Sequence, residues 1–380
     1  MRLLLVNYEY PPIGAGAGNA TAHIARALVA LDHRPIVLTS AYDSRPARDD
    51  VDGVLVIRVL AKRARADRSN LFEMATYVAS AALALPGVIR AEKPDAAIVF
   101  FSMPCGPLGL IARWWARLPY VVSLRGGDVP GQERSLDLAY TLLTPLRRMV
   151  LRRATAVVAN STGLKALSEA ADPIVVKVIP NGVDSVFFRP VPRRDDRPFV
   201  FLFVGRLQAQ KNLAFLLDSI SALRRTATLP FRVVFVGDGP DQVDLQRRCT
   251  AARLADIVSW HGWCDKARLL EYYQQADCLL NPSLAEGMPN TVLEAMACGL
   301  PVIASDVVGN NAVVVPGDTG YLVSLSRPHE YAEAMYHVLI DRGLARRMGA
   351  EGRRRAESRF SWDTVAREYV ALFAYLEGAA

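Results

Sequence analysis

The chain has 380 residues, 51% of them hydrophobic and 22% charged, with a formal net charge of +7. That length exceeds one ordinary core and fits two domains of roughly 150–200 residues, and the apolar share excludes disorder and a coiled coil. Through Arg189 there are 23 Lys and Arg against 16 Asp and Glu, while the remainder holds 22 of each, so the first half carries the whole excess. The five cysteines, Cys105, Cys249, Cys264, Cys278 and Cys298, are odd in number and lack CxxC spacing. They suggest neither a disulfide framework nor a zinc site and read as small buried hydrophobes. The opening apolar run 3–6 is too short for the core of a signal peptide. The uncharged stretch 74–89 falls short of the roughly 20 residues of a membrane helix and contains Pro86. The expectation is a cytoplasmic chain without a span, in which 74–89, if helical, is a buried core helix, with shallow apolar contact at a membrane surface as the alternative.

Taken in order, short β-branched runs at 3–6, 35–39, 54–59, 96–101, 120–124, 156–159 and 175–179 alternate with helical spacing at 22–31, 106–115, 136–153 and 161–169. Continuous apolar strands separated by helices predict a parallel sheet covered on both faces, a doubly wound α/β domain over 1–189. The charged, proline-rich stretch 190–198 reads as a linker. A second series of strands follows at 199–204, 232–236, 258–260, 278–280 and 301–305, in a domain 199–380 that ends in helices at 329–340, 344–355 and 363–376. The last of these is placed to pack back on the first domain.

In such sheets, ligands bind beyond the carboxyl ends of the strands. After the first strand stands Gly14-Ala-Gly-Ala-Gly18, just before a predicted helix. It lacks the complete GxGxxG, but a glycine-rich helix start suits a phosphate or a closely approaching substrate; a flexible turn after Pro11-Pro12 is the alternative. After 199–204 come Gly205, Arg206, Lys211 and Asn212. Gly205 lets the backbone turn, and two cations at one strand end suit a diphosphate leaving group. Gly237-Asp-Gly-Pro240 repeats the tight turn one strand later. Further on, Pro289 and Asn290 signal a helix whose first amides, at Asn290, Thr291 and Val292, turn a positive dipole end toward an anion. Glu286 in the loop before it and Glu294 inside it are acceptors for sugar and ribose hydroxyls, although Glu294 taken alone reads as a solvated helix residue. No metal is needed, because Arg206, Lys211 and the helix end supply positive charge. His23 is expected to pack, and Trp263 either lies beside a nucleotide base or is a buried aromatic.

The order Gly205-Arg206…Lys211-Asn212, Val236-Gly-Asp-Gly-Pro240, Glu286…Glu294 and Gly299-Leu-Pro301-Val-Ile-Ala-Ser305 resembles the retaining GT-B glycosyltransferases of family 4. Ile179-Pro-Asn-Gly-Val-Asp184, with Phe188 and Pro190, is similar to their interdomain signature. The likeness spans nearly the whole chain, tight in the second half and loose in the first. It implies two Rossmann-like domains facing across a cleft, with a UDP- or GDP-sugar as substrate and no cofactor. It also implies Arg206 and Lys211 on the donor diphosphate, Glu294 on the ribose, and Glu286 with the backbone of Gly287, Met288, Pro289 and Asn290 on the transferred sugar. Gly18 and Asn19 match the family's paired glycines near the donor phosphate, the second replaced here. Where many members carry His-Gly-x-Asp after the strand 120–124, this chain has Arg125-Gly126-Gly127-Asp128. Arginine keeps its proton, so Arg125 neutralises phosphate rather than serving as a base. Asp128 is either a base or acceptor-orienting group, or a carboxylate that caps the turn.

The expectation is a retaining hexosyltransferase with a lipid-linked or other glycan acceptor, used in surface polysaccharide assembly. Basic runs at 62–68 and 147–153 would hold it peripherally on the anionic inner face of the membrane, with no nucleic-acid partner. A small soluble acceptor, such as a sugar phosphate or secondary metabolite, is the alternative. The missing histidine also permits a catalytically silent nucleotide-sugar-binding protein. A dinucleotide-dependent dehydrogenase would need a full GxGxxG and an acidic residue ending the second strand, and neither is clear.

Overall fold

The computed structural model describes residues 1–14, 16–63, 65, 69–126, 128–129, 137–192 and 196–374. It divides into two compact units, Met1–Gly182 with Trp362–Ala380, and Val183–Ser361. The change of unit therefore falls at Gly182, and the described residues of the expected linker 190–198 are grouped with the second unit. Gly182 is required there, since a Cβ would stand 2.5 Å from the Trp362 indole.

The first unit runs β1 (Arg2–Val6), α1 (Gly16–Ala30), β2 (Arg34–Ser40), β3 (Arg48–Val51), β4 (Val54–Val59), α2 (Leu71–Glu92), β5 (Ala96–Phe100), α3 (Gly106–Ala116), β6 (Tyr120–Leu124), α4 (Asp137–Arg153), β7 (Ala156–Ala159), α5 (Thr162–Ala171) and β8 (Val176–Val178). Its sheet has the order β3-β4-β2-β1-β5-β6-β7-β8. All pairings are parallel except β3 with β4. The polar strand β3 (Arg-Asp-Asp-Val) gave no apolar run to read. A tight turn at Asp52 and Gly53, both left-handed, folds it onto β4. Strands β1, β5 and β6 are buried almost throughout, as two covered faces demand.

Two expectations change here. Helix α1 begins at Gly16, six residues before the apolar spacing starts, so Gly18 and Asn19 lie in its first turn rather than ahead of it. Helix α2 is longer than the stretch 74–89 because Asn70 and Glu73 form a reciprocal capping box: Asn70 Oδ1 accepts from Glu73 N at 2.9 Å, and Glu73 Oε2 accepts from Asn70 N at 3.1 Å. With 22 residues it is long and apolar enough to cross a membrane, and only a third of its most apolar window is buried. The stretch 74–89 is thus part of a longer helix, with Tyr77, Ala81, Leu85, Val88 and Ile89 in the core and the opposite stripe exposed.

The second unit continues β9 (Phe199–Val204), α6 (Leu213–Thr226), β10 (Phe231–Val236), α7 (Gln242–Ala251), β11 (Val258–His261), α8 (Lys266–Gln275), β12 (Cys278–Asn281), α9 (Asn290–Ala297), β13 (Val302–Ser305), α10 (Val308–Asn311), β14 (Gly320–Val323), α11 (Pro328–Ile340) and α12 (Arg342–Arg359). Its six strands are all parallel, in the order β11-β10-β9-β12-β13-β14. Alternate residues serve opposite cores: Phe199, Phe201 and Phe203 join one cluster, and Leu202 joins the other with Val200 and Val204 packed against it. The final helix, α13 (Trp362–Ala371), returns to the first unit, where Val365, Ala366 and Tyr369 enter the core and Trp362 stacks on His23 at 5.0 Å.

Candidate active site

Strand order in the second sheet reverses between β9 and β12, and in open α/β sheets that reversal opens the ligand crevice. The loops leaving these two strands carry the residues singled out above. Gly205 ends β9 at φ 156° and Gly237 ends β10 at φ 131°. A Cβ on Gly237 would lie 2.1 Å from Gly205 O, and one on Gly239 would lie 2.2 Å from Leu207 O. The tight turn at 237–240 is what lets the two strand-end loops touch. Arg206 is exposed, while Lys211 closes a short 3-10 turn ahead of Asn212, whose left-handed backbone (φ 55°) starts α6.

Lys211 points back across the reversal. Its Nζ lies 2.6 Å from Glu286 Oε1 in the loop after β12, with side chains 17% and 8% exposed. Ser283 Oγ stands 2.6 Å from the same carboxylate oxygen and 2.6 Å from Asn281 Oδ1, so its single proton is divided between two acceptors. Behind it, Asn281 donates to Asn310 Oδ1 at 3.2 Å, Asn310 donates to Ser305 O at 3.0 Å, and Ser305 Oγ donates to Ser283 O at 2.5 Å. Gly309 completes the seat, because a Cβ there would be 2.5 Å from Glu286 O. Buried polar groups hydrogen-bonded in this way fix one geometry.

Glu286 leads through Gly287, Met288 and Pro289 into α9, which starts at Asn290. Pro289 is the helix N-cap and offers no side-chain acceptor, so the positive end of the helix carries no capping group of its own. One turn in, Glu294 Oε2 accepts from the Tyr273 hydroxyl at 2.9 Å. Burial pushes the Glu294 carboxyl up to about 7, offset in part by the Tyr273 hydrogen bond and by the Lys266 charge. Lys266 is itself seated 4.6 Å from the Phe187 ring centroid and 3.9 Å from Asp184 Oδ2. Trp263 is 76% exposed, so it is not a buried aromatic.

In the first unit, Gly14 (φ 88°) and Gly18 pack over Glu9. A Cβ at Gly14 would lie 2.6 Å from Glu9 Cβ, and one at Gly18 would lie 2.9 Å from Ile13 O. Asn19 is exposed on the first turn of α1. Asp128 is 1% exposed: its Oδ1 accepts from the backbone of Arg125 at 3.0 Å and Gly126 at 3.2 Å, and its Oδ2 accepts from Ser102 N at 2.6 Å. Three backbone donors make it the clasp between the loops after β5 and β6. Gly127 lies outside the described residues. Arg125 Nη1 donates to Asn181 Oδ1 at 2.8 Å and Nη2 to the Tyr369 hydroxyl at 3.4 Å, and its guanidinium lies 4.9 Å from the Phe100 ring centroid.

Asn181, Tyr369, Ser283, Asn310 and Tyr273 were not singled out from sequence. Only Asn181 stood inside a noted motif, and the others arrive through tertiary packing. Two cations of the basic runs are internal: Arg147 pairs with Asp172 at 2.5 Å, both nearly inaccessible, and Arg63 lies 3.9 Å from Glu9. Arg68 falls outside the described residues.

Residues 184–355 match the model of the glycosyl transferases group 1, and residues 15–182 match that of the glycosyl transferase 4-like domain. The chain is 30% identical over 276 residues, 69% of its length and 70% of the relative's, to UDP-Gal:alpha-D-GlcNAc-diphosphoundecaprenol alpha-1,3-galactosyltransferase of Escherichia coli. It is 27% identical over 96% of its length and 92% of the relative's to glycogen synthase of Mycobacterium tuberculosis. Among solved structures, Anabaena Alr3699/HepE in complex with UDP superposes with a TM-score of 0.76 at 20% identity, covering 99% of this chain and 100% of that one. The chain therefore belongs to the group 1 glycosyltransferases, family 4, and is a GT-B hexosyltransferase that uses a nucleotide sugar.

Proposed function

We propose that this enzyme moves a hexosyl unit, with retention, from a UDP-sugar to a lipid-linked glycan at the cytoplasmic face of a membrane, as a step of surface polysaccharide assembly. The observation that carries the reading is the meeting of the β9 and β12 loops at the strand-order reversal, where Lys211 pairs with Glu286 just ahead of α9 and Arg206 stands exposed on the same β9 loop. Two cations and a helix N-terminus suit a nucleoside diphosphate leaving group. The Escherichia coli relative, named for UDP-Gal and a diphosphoundecaprenol acceptor, supports the donor class and the lipid carrier. The Anabaena structure with UDP supports the nucleotide.

In this reading, Arg206 and Lys211 neutralise charge as the sugar–phosphate bond breaks, and the departing diphosphate takes the acceptor's proton on the same face. Glu286 accepts from hydroxyls of the transferred sugar and Glu294 from the ribose. Asp128, held by three amides, positions the Arg125 loop instead of moving a proton. Arg125, fixed by Asn181 and Tyr369, offers a cation to an acceptor phosphate.

Transfer of labelled hexose from UDP-hexoses to undecaprenyl-diphosphate-linked sugars, assayed beside soluble sugar phosphates, tests the reading. Label in the lipid fraction supports it, and label only in soluble product replaces the acceptor. Nucleotide binding with neither transfer nor donor hydrolysis would make the chain a silent binder.

A further inference from the structure

Arg147, on α4, is among the largest side chains enclosed in the first unit, at 1% exposure. Enclosing a guanidinium is costly unless its charge and its donors are matched. Its Nη1 lies 2.5 Å from Oδ2 of Asp172, the C-cap of α5, whose Oδ1 lies 3.1 Å from Arg148 Nε. Its Nε donates to Ser102 Oγ, in the loop after β5, at 3.3 Å. Its Nη2 is buried and has no hydrogen-bond partner among the described residues. A buried ion pair with one donor unmatched adds little to stability over apolar residues of similar volume. What Arg147 touches gives a better account of it.

Ser102 joins the arginine to the loop after β6. An arginine only donates, so Ser102 Oγ accepts from Nε and its single proton is directed to Asp128 O, 3.0 Å away. Ser102 N also donates to Asp128 Oδ2, at 2.6 Å. Asp128 in turn accepts from the backbone amides of Arg125 and Gly126. One buried cation thus stands between two enclosed carboxylates, meeting Asp172 directly and Asp128 through a hydroxyl. Ser102, Asp128 and Asp172 are each 2% exposed or less, so water does not loosen the chain.

We propose that Arg147 is a positioning residue for glycosyl transfer: from inside the first unit it sets the Ser102 hydroxyl, which fixes Asp128 and with it the loop that presents Arg125. Without the guanidinium, nothing selects the direction of the Ser102 proton, and Asp128 keeps its amides but loses its second tie to the β5 loop. The relay reaches the carboxyl end of β6 from α4 and α5, two helices that carry none of the residues assigned to substrate. The proposal rests on the reading of Arg125 as the cation that meets the acceptor's phosphate, and it names the groups that hold that cation's loop in place.

The test uses three variants of the full chain. Ser102→Ala removes the link and leaves the Arg147–Asp172 pair. Arg147→Met/Asp172→Asn removes the pair without leaving a lone buried charge. Arg148→Gln is the control, since Arg148 meets Asp172 but not Ser102. Each is assayed in detergent solution with labelled UDP-hexose and the undecaprenyl-diphosphate-linked sugar or soluble sugar phosphate that the wild type labels, and amide exchange is followed by mass spectrometry. Ser102→Ala and the double variant are expected to raise the acceptor KM about tenfold with kcat nearly kept, the pattern of binding lost equally from ground and transition states. Their Arg125 and Gly126 amides should exchange faster than in the wild type. Arg148→Gln should keep the wild-type acceptor KM. UDP affinity should hold in all three, because Arg206, Lys211 and Glu294 belong to the second unit. Faster exchange with an unchanged acceptor KM would overturn the proposal and leave a merely structural cluster. Unchanged exchange, or an equal rise in KM in Arg148→Gln, would overturn it as well. A wild type that labels only soluble acceptors changes the acceptor and not these comparisons, whereas one that labels none overturns the acceptor reading and the proposal together.

Discussion

Lys211 Nζ lies 2.6 Å from Glu286 Oε1, so the cation that follows β9 and the carboxylate that follows β12 neutralise one another across the point where the second sheet reverses its strand order. Sequence reasoning gave the two residues separate partners, a diphosphate and a sugar. The geometry makes them one unit. Removing Lys211 leaves a nearly inaccessible carboxylate without its countercharge, and breaking a buried pair in this way typically costs about 3 kcal/mol. Lys211→Met should therefore lower the melting temperature, whereas Lys211→Met/Glu286→Gln should recover most of it while both stay inactive in transfer. Thermal unfolding beside a transfer assay checks this, and a double variant that melts as low as the single would show the two are not coupled.

Arg206 contrasts with its neighbour. It is exposed, and no hydrogen bond or ion pair from its side chain is formed among the described residues. Arg206→Ala should leave the melting temperature unchanged and lower kcat by roughly 10²-fold, the size of effect seen on losing one donor to a developing anion. Near-normal turnover would remove Arg206 from the leaving-group site.

The carboxyl of Glu294 is raised by burial from an ordinary 4.5 to about 7. The native state therefore binds more protons than the unfolded chain across that interval, so this group's contribution to stability falls as pH rises from 4.5 toward 7 and does not return above it. Nucleotide binding has the opposite sign. Ribose hydroxyls donate to the ionised form, so UDP affinity should rise with pH through about 7, by up to tenfold per unit on the acid side. Calorimetry in buffers of different ionisation enthalpy should register proton release on binding. Glu294→Gln should bind weakly with no pH dependence, and Tyr273→Phe, which removes the hydrogen bond to the ionised carboxylate, should move the midpoint upward. A flat profile in the wild type would take Glu294 out of the ribose site.

Asp128 offers a test between clasp and base. Its carboxylate satisfies three amides, the buried one of Ser102 and the half-buried ones of Arg125 and Gly126, and a buried amide left unpaired costs about 1–3 kcal/mol. Asp128→Ala should accordingly destabilise by several kcal/mol and lower activity through the loop. Asp128→Asn, which keeps one acceptor oxygen, should be intermediate in stability and should retain the wild-type pH profile of kcat. Loss of one limb of that profile in the stable Asn variant would restore Asp128 as a base.

The apolar runs by themselves determined the two parallel sheets, because a strand covered on both faces must be apolar at every position, and that pattern is local. The strand-end glycines and the pairs Arg206 with Lys211 and Glu286 with Glu294 were legible for the same reason: each lies within a few residues of a strand end or helix start whose position the runs already set. Tertiary structure decided what depends on residues far apart in sequence. The β3 edge was invisible because Arg-Asp-Asp-Val has no apolar alternation. Whether Asp128 was a base or a clasp turned on Ser102, 26 residues away. Arg125 is fixed by Tyr369, 244 residues further on, in a helix that returns to the first unit. Which stripe of α2 is covered was left open in the sequence for a related reason: its alanines and leucines read the same whether they face a core or solvent, and only the sheet beneath selects the buried one.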